Sequence, residues 1–153
     1  MIELRRKGFE IIYADEVMFT VRTLPQKAWS AVNMPFAMDL KQVSPKSVAV
    51  IASISLNRGV ELYNMHPRSI NTPKFLVFIE DLRRKRWADD IALFVDRLSV
   101  HRTKAVRERL DELSIPLILN ASYEPDYNPI ENIFARVKFN FRRLRLADIT
   151  ANK

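Results

Sequence analysis

Apolar residues along this chain fall into short runs that predict a first strand and, later, a hairpin. Residues 8–14 are aromatic and β-branched, which is typical of a strand, and the run ends at Asp15. Residues 46–56 alternate between apolar and polar, and after a glycine-containing turn residues 60–64 return as a partner strand. Residues 17–45 lack a regular pattern, and we expect them to form an inserted β-arm after the first strand.

The second half of the chain alternates between helical and strand-like patterns. Apolar residues recur every three or four positions in the helical stretches, whereas the strand-like stretches are continuous apolar runs, typical of strands buried on both faces. The predicted elements are helix 72–87, strand 91–95, helix 102–113, strand 116–119 and helix 129–146. Antiparallel strands followed by strands that alternate with helices predict an α/β fold with a five-stranded mixed sheet flanked by helices.

Composition and charge narrow the class of protein. The 153 residues, of which 48% are hydrophobic and 28% charged, suit a single globular domain over residues 1–153. Lysine and arginine total 25 against 18 acidic residues, and the net charge of +7 favours a polyanionic partner such as nucleic acid. The absence of cysteine excludes disulfides, zinc–thiolate sites and cysteine nucleophiles. No signal peptide or membrane-spanning run is visible, so we expect an intracellular protein with no membrane partner.

Three acidic residues occupy positions that favour metal chemistry. Asp15 and Asp96 each follow an apolar strand, and Glu131 lies in the first turn of the last predicted helix. Acids at strand ends meet at one edge of a sheet, and a helix crossing that edge can bring a third acid beside them. Carboxylates without His or Cys suit Mg²⁺ or Mn²⁺, and two such ions about 3.5–4 Å apart can clamp a phosphoryl displacement. The alternative is that Glu131 only stabilises a helix amino terminus.

Motifs around these acids resemble those of a known family. The matching stretches are Asp15 and Glu16 after an apolar strand, residues 95–101 (VDRLSVH) and residues 123–131 (YEPDYNPIE). They resemble the three acidic motifs of mariner-like transposases and their bacterial insertion-sequence relatives, the DDE superfamily endonucleases. In that family the second acid is usually followed by Asn and then by His, and the third motif runs from Tyr-Ser-Pro into Asn-Pro-Ile-Glu. The Asn-Pro-Ile-Glu block is the most specific part of the match.

The spacing and extent of the match support the resemblance, and two substitutions depart from it. Glu131 follows Asp96 by 35 positions, a spacing typical of the family, and the match covers about residues 9–145. Arg97 stands where the family usually has asparagine after the second acid, and Glu124 stands where it usually has serine. All three acids remain in place.

The resemblance implies an RNase H-like fold in which Asp15, Asp96 and Glu131 bind two Mg²⁺ or Mn²⁺ ions. It implies DNA strand cleavage and joining of the freed 3′-hydroxyl to target DNA, so transposon ends and target DNA are the expected partners. It also implies that residues 17–45 are a clamp-like arm through which subunits pair as a homodimer on DNA. The sequence shows no counterpart of the family's amino-terminal helix-turn-helix region, so we expect either a catalytic fragment or a gene that has lost this region. Such a protein acts in the nucleus of a eukaryote or in the cytoplasm and nucleoid of a bacterium.

Three residues near the acids are interpreted as supporting the site. Glu16 is either an acid that supports the metal ligands from behind or a surface carboxylate. His101 orients the site, contacts a phosphate, or makes a hydrogen bond at a helix start. Asn128 is interpreted as the cap of the last helix, which would hold Glu131 in place.

Basic residues on and near the last helix are the predicted DNA contacts. At about 100° per residue, Lys138 and Arg142 lie on the same side of that helix as Glu131, where they can reach phosphates. The complete predicted set is Arg97, Lys138, Arg142, Arg143 and Arg145. The basic run 83–86 has three interpretations: DNA binding, a nuclear localisation signal, or a solvated helix end that complements the helix dipole.

Two alternatives stay open at this point. A retroviral-type integrase or a junction resolvase would share the fold and the acids, although the Asn-Pro-Ile-Glu block favours a transposase. The other alternative is a domesticated, inactive domain that only binds DNA or a partner, and Arg97 beside Asp96 keeps it open.

Overall fold

The computed structural model of the chain describes residues 1–20, 32, 47–120 and 128–151, with side chains up to Leu144. Its strands are β1 (Glu10–Phe19), β2 (Val48–Ser55), β3 (Gly59–Pro67), β4 (Ile91–Val95) and β5 (Leu117–Leu119). Its helices are α1 (Ile2–Arg6), α2 (Thr72–Lys85), a 3₁₀ turn (Val100–Arg102), α3 (Lys104–Glu112) and α4 (Ile130–Ala151). Most of the predicted arm at 17–45 lies outside the described residues, so the arm stays a prediction.

The strands form the predicted five-stranded mixed sheet, in the order β3-β2-β1-β4-β5. β1, β2 and β3 pair antiparallel, whereas β1, β4 and β5 pair parallel. Gly59 closes the turn between β2 and β3 with a positive φ of 71°, a conformation that glycine adopts without strain. β1 is therefore the central strand, and it borders both the antiparallel and the parallel half of the sheet.

Helices cover the two faces of the sheet. On one face, α2 packs through buried residues such as Phe78, together with α3. On the other face, α4 packs through Ile130 and Phe134, and the ring of Phe141 lies 5.0 Å from that of Phe19. Burial of apolar surface on both faces is the main stabilisation of such a layered fold. None of the described helices is both long and apolar enough to cross a membrane.

β1 is longer than predicted because its pairing with β2 extends it. The first strand was expected to end at Asp15, but the antiparallel register continues through Phe19. Asp15 therefore lies inside β1, and residues 17–19 belong to the strand rather than to the arm. The parallel pairing with β4 stops earlier, at Tyr13, so Asp15 still lies just past the edge of the parallel half.

The basic run 83–86 is not solvated throughout, because Arg86 is only 1% exposed. The Arg86 guanidinium pairs with the carboxylates of Glu10 and Glu61, and its Nε lies 2.6 Å from Oδ2 of Asp89. We call these four side chains the Arg86 network. The network ties the end of α2 to the edge of the sheet at which β1 and β4 begin, opposite the edge that carries Asp15.

Candidate active site

Asp15 lies on the central strand, on the face that α4 covers. Tyr13 and Val17 pack on this face, and strand alternation places Asp15 beside them. Asp15 is 8% exposed. Its Oδ1 accepts a hydrogen bond of 2.7 Å from the backbone amide of Glu16, and its Oδ2 accepts one of 3.3 Å from the side-chain amide of Asn128. Each oxygen of the carboxyl group thus has a donor, which fixes the orientation of the group.

The pKa of Asp15 is raised from 3.8 to about 7. Burial is the largest cause, because removing a carboxylate from water disfavours its charge. The hydrogen bond from the Glu16 amide opposes the shift, whereas the negative charges of Asp96, Glu131 and Glu16 increase it. The effect of Asp96 and Glu131 on Asp15 shows that the three acids share one region of the molecule.

Asp96 follows β4 at the same edge of the sheet. β1 and β4 run parallel, and continuing their register by two positions brings Asp96 beside Asp15. Oδ1 of Asp96 accepts a hydrogen bond of 3.0 Å from the amide of Leu98 and lies 2.8 Å from Nδ1 of His101. Burial raises the pKa of Asp96, but the hydrogen bonds and the charge of His101 outweigh burial, so the pKa is lowered. Asp96 is therefore ionised at neutral pH.

His101 is completely buried and links the second acid to the neighbour of the first. Its Nδ1 contacts Asp96, its Nε2 lies 3.0 Å from Oε1 of Glu16, and its ring packs on Phe75. Burial lowers the pKa of His101, but the two carboxylates outweigh burial and raise it from 6.5 to about 9. The imidazolium can donate to both acids at once. The enclosed ring of His101 is not exposed for a phosphate contact, one of its three interpretations, and Glu16 is a partly buried partner rather than a surface carboxylate.

α4 begins beside Asp15 and carries Glu131 in its first turn. Asn128, two residues before the helix, is 3% exposed, and its side chain donates to Asp15. The prediction that Asn128 caps α4 with its side chain is wrong, because its Oδ1 accepts no hydrogen bond within the described part of the chain. The side chain of Glu131 is exposed, so it is open to a ligand.

The acids suit a divalent cation in their chemistry, although they do not form a compact ligand set by themselves. Among the described side chains, no group of three or more Asp, Glu or His residues is spaced to hold a metal ion. Two buried oxygens near the acids, Oε2 of Glu16 and Oδ1 of Asn128, have no hydrogen-bond partner among the described residues. Carboxylate and amide oxygens are ligands that Mg²⁺ and Mn²⁺ accept. The donors and the excess of negative charge therefore fit such an ion, and the roles of the three acids stay a prediction.

The predicted DNA contacts lie along α4 and directly after β4. Lys138 is half-buried, and Arg142 and Arg143 are exposed. Arg97 is exposed, and its Nε donates a hydrogen bond of 2.9 Å to the backbone carbonyl of Asn120 at the end of β5. The side chain of Arg145 lies outside the described residues. The structure thus places the other four cations, and the contact of all five with DNA stays a prediction.

A comparison with protein families matches nearly the whole chain. The family model described as DDE superfamily endonuclease matches residues 10–151. None of the curated proteins matches the sequence. The match includes all three acids and the helix that carries the last of them.

Solved structures of Mos1 transposase have a similar fold. The Mos1 paired-end complex with the left transposon end matches with a TM-score of 0.69 and 21% identity, over 91% of this chain and 45% of that one. A pre-cleavage Mos1 transpososome matches with a TM-score of 0.70 and 20% identity, over 91% of this chain and 46% of that one. The chain thus spans about half the length of these Mos1 chains.

The isolated catalytic domain of Mos1 also has a fold similar to that of this chain. Its structure with raltegravir and Mg matches with a TM-score of 0.64 and 18% identity, over 99% of this chain and 77% of that one. The expected RNase H-like fold, a mixed sheet with helices on both faces, is therefore confirmed.

Proposed function

The chain belongs to the DDE superfamily endonucleases, and from this premise we propose that it is the catalytic core of a cut-and-paste DNA transposase. The proposed reaction is hydrolysis of a DNA strand at a transposon end, followed by attack of the freed 3′-hydroxyl on target DNA. The observation that carries the proposal is the environment of Asp15. This acid is buried in the central strand, and the charges of Asp96 and Glu131 help to raise its pKa.

Asp15, Asp96 and Glu131 are the proposed ligands of two Mg²⁺ or Mn²⁺ ions. When bound, such ions supply Lewis-acid activation of the attacking oxygen and stabilise the leaving oxygen. Asp96 is ionised already. Asp15 releases its proton when nearby positive charge offsets the negative charges of the neighbouring acids. His101 keeps Asp96 and Glu16 in fixed positions through its two ring nitrogens. Mos1 structures with Mn and with Mg are among the similar folds, which supports the choice of metal.

The basic residues of α4 are proposed to hold the DNA backbone near the acids. Lys138, Arg142, Arg143 and Arg145 follow Glu131 on the same helix, and Arg97 follows Asp96 directly. The net charge of +7 supports binding to a polyanion. A similar Mos1 structure is a paired-end complex with a transposon end, which supports transposon ends as substrate, and a homodimer on DNA is part of the proposal.

Alanine in place of any of the three acids tests the proposal. Asp15→Ala, Asp96→Ala and Glu131→Ala are each expected to lower Mn²⁺-dependent nicking of supercoiled plasmid DNA by roughly a thousandfold or more, because a lost ligand removes several kcal/mol of transition-state stabilisation. Asp111→Ala is the matched control, since Asp111 is an exposed acid on α3, and it should nick like the unmodified chain. Undiminished nicking by any of the three variants contradicts its assignment.

A second candidate function is a domain that binds DNA or a partner without catalysis. Arg97 keeps this candidate open, because an arginine stands directly after Asp96 where the family usually has asparagine. Titration with Mn²⁺, followed by electron paramagnetic resonance, separates the two functions. Mn²⁺ binding that is lost in Asp96→Ala supports the catalytic core, whereas DNA binding without any Mn²⁺ binding supports the second candidate.

A further inference from the structure

Asn128 contacts both the strand that carries the first acid and the helix that carries the third. Its Nδ2 donates to Oδ2 of Asp15 at 3.3 Å, a contact between residues 113 positions apart in sequence. Its backbone carbonyl accepts the amide of Glu131 at 3.1 Å. With 3% of Asn128 exposed, water does not compete for these bonds.

The contact with Asp15 does more than attach the start of a helix. Oδ1 of Asp15 is already held by the amide of Glu16 at 2.7 Å, so Asn128 gives the second oxygen a donor of its own. A carboxylate that accepts one hydrogen bond on each oxygen has a defined plane and keeps a free lone pair on each oxygen. Hydrogen bonds of this kind orient metal ligands, and their loss lowers metal affinity.

Asn128 makes this contact although its own carbonyl oxygen is left without a partner. Oδ1 is buried and accepts no hydrogen bond from the described residues. An unpaired buried group of this kind costs about 1–3 kcal/mol. A leucine of similar size would avoid that cost, so folding stability by itself does not account for an asparagine at this position.

We propose that Asn128 is a positioning residue that holds Asp15 in register with the first turn of α4 for cation binding. The inference rests on the proposed metal site of Asp15, Asp96 and Glu131. In this role Asn128 acts through Oδ2 of Asp15 and through the backbone of Glu131.

The variant Asn128→Leu tests the inference, because it keeps the size of the side chain and removes its donor. Mn²⁺ affinity of the folded, DNA-free protein, measured by electron paramagnetic resonance, is expected to fall about 10–100-fold. The Mn²⁺ concentration for half-maximal nicking should rise by a similar factor, and saturating Mn²⁺ should restore the rate. Asn132→Leu is the matched control, since Asn132 is an exposed asparagine in the same helical turn as Glu131, and it should leave Mn²⁺ affinity unchanged.

A second variant, Asn128→Ser, keeps a small hydroxyl donor and decides the question if Asn128→Leu does not fold. Its Mn²⁺ affinity should also fall, by a smaller factor. Unchanged Mn²⁺ affinity in a folded variant, or a lower rate that saturating Mn²⁺ does not restore, overturns the inference. If the unmodified chain itself binds no Mn²⁺, the proposed function fails instead, so the two failures are distinct.

Discussion

At the scale of single residues, Asp15 is a carboxyl group whose ionisation the fold opposes. The unfolded chain releases this proton near pH 3.8, and the folded chain releases it near pH 7. Between these values the folded chain binds one proton more, so stability falls as the pH rises through this window. His101 affects stability at higher pH. Its stabilising positive charge is fully present below pH 6.5 and is lost as the pH rises through about 9.

Asp15→Asn is therefore expected to stabilise the protein when no metal is present. Above pH 7 the free energy of unfolding should rise by on the order of 2–4 kcal/mol, because the neutral amide removes the cost of a buried negative charge. Urea denaturation at a series of pH values measures the change. Mg²⁺ should stabilise the unmodified chain and not the variant. A variant that keeps the original decline in stability between pH 4 and 7 rules out Asp15 as its source.

The sequence identified the acids but not the contacts around them. Asp96 and Glu131 were recognised because their spacing and the Asn-Pro-Ile-Glu block are local patterns. The bonds from Asn128 to Asp15 and from His101 to Glu16 join residues 113 and 85 positions apart. No local pattern encodes such a contact. From the sequence alone, Asn128 was therefore interpreted as a helix cap, and the role of His101 was left open among three possibilities.

At the scale of elements, α4 combines a packing face with charged positions. Ile130 and Phe134 are buried against the sheet, whereas Ile133 and Val137 on the same helix are exposed. The buried stripe of α4 is therefore narrow, and it lies against the central strand of the sheet. The helix thus contacts the sheet through one narrow face, and Glu131 lies outside that face.

Neutral replacements on α4 are expected to weaken DNA binding without affecting the acids. Lys138→Gln and Arg143→Gln should each reduce the slope of log affinity against log salt by about one, because each removes one phosphate contact. Fluorescence anisotropy with a labelled duplex at several salt concentrations measures the slope. Arg84→Gln is the control, since Arg84 is exposed on α2, which packs against the other face of the sheet. If all three variants give the same slope as the unmodified chain, α4 is not the DNA-binding helix.

Element types were predictable, and several boundaries were not. β4 and α3 follow from a continuous apolar run and from helical spacing, both of which depend on local sequence. The extension of β1 to Phe19 depends on its register with β2, which lies beyond residues 21–46 in sequence. The short helix α1 buries no residue, so it has no apolar pattern from which it could be predicted.

At the scale of the whole molecule, the sheet is anchored at one edge by the Arg86 network and carries the acids at the other. Arg86 has two partners on the strands, at the start of β1 and in β3, and a third just before β4. The sequence suggested a solvated helix end, because a run of four basic residues gives no sign of which member is buried. The mixed sheet was predictable from the order of the elements, whereas this network depends on tertiary contacts.

Arg86→Met is expected to lower the free energy of unfolding by about 3–5 kcal/mol, because it leaves the buried Glu61 and the partly buried Glu10 without their cation. Chemical denaturation measures the loss. Arg84→Met, which removes an exposed ion pair with Asp81, should cost at most about 1 kcal/mol. A loss of at most about 1 kcal/mol for Arg86→Met would mean that the buried network adds no more stability than an exposed ion pair.

The order of the acids along the chain bears on when a growing polypeptide becomes catalytic under the proposed function. A ribosome that has released residues only as far as Asn120 has made the central strands with Asp15 and Asp96, but not the helix with Glu131. On the proposed chemistry, such an unfinished polypeptide is unable to cut a chromosome. The proposed activity therefore requires the start of the last helix, and a chain that terminates before Glu131 is expected to be inactive.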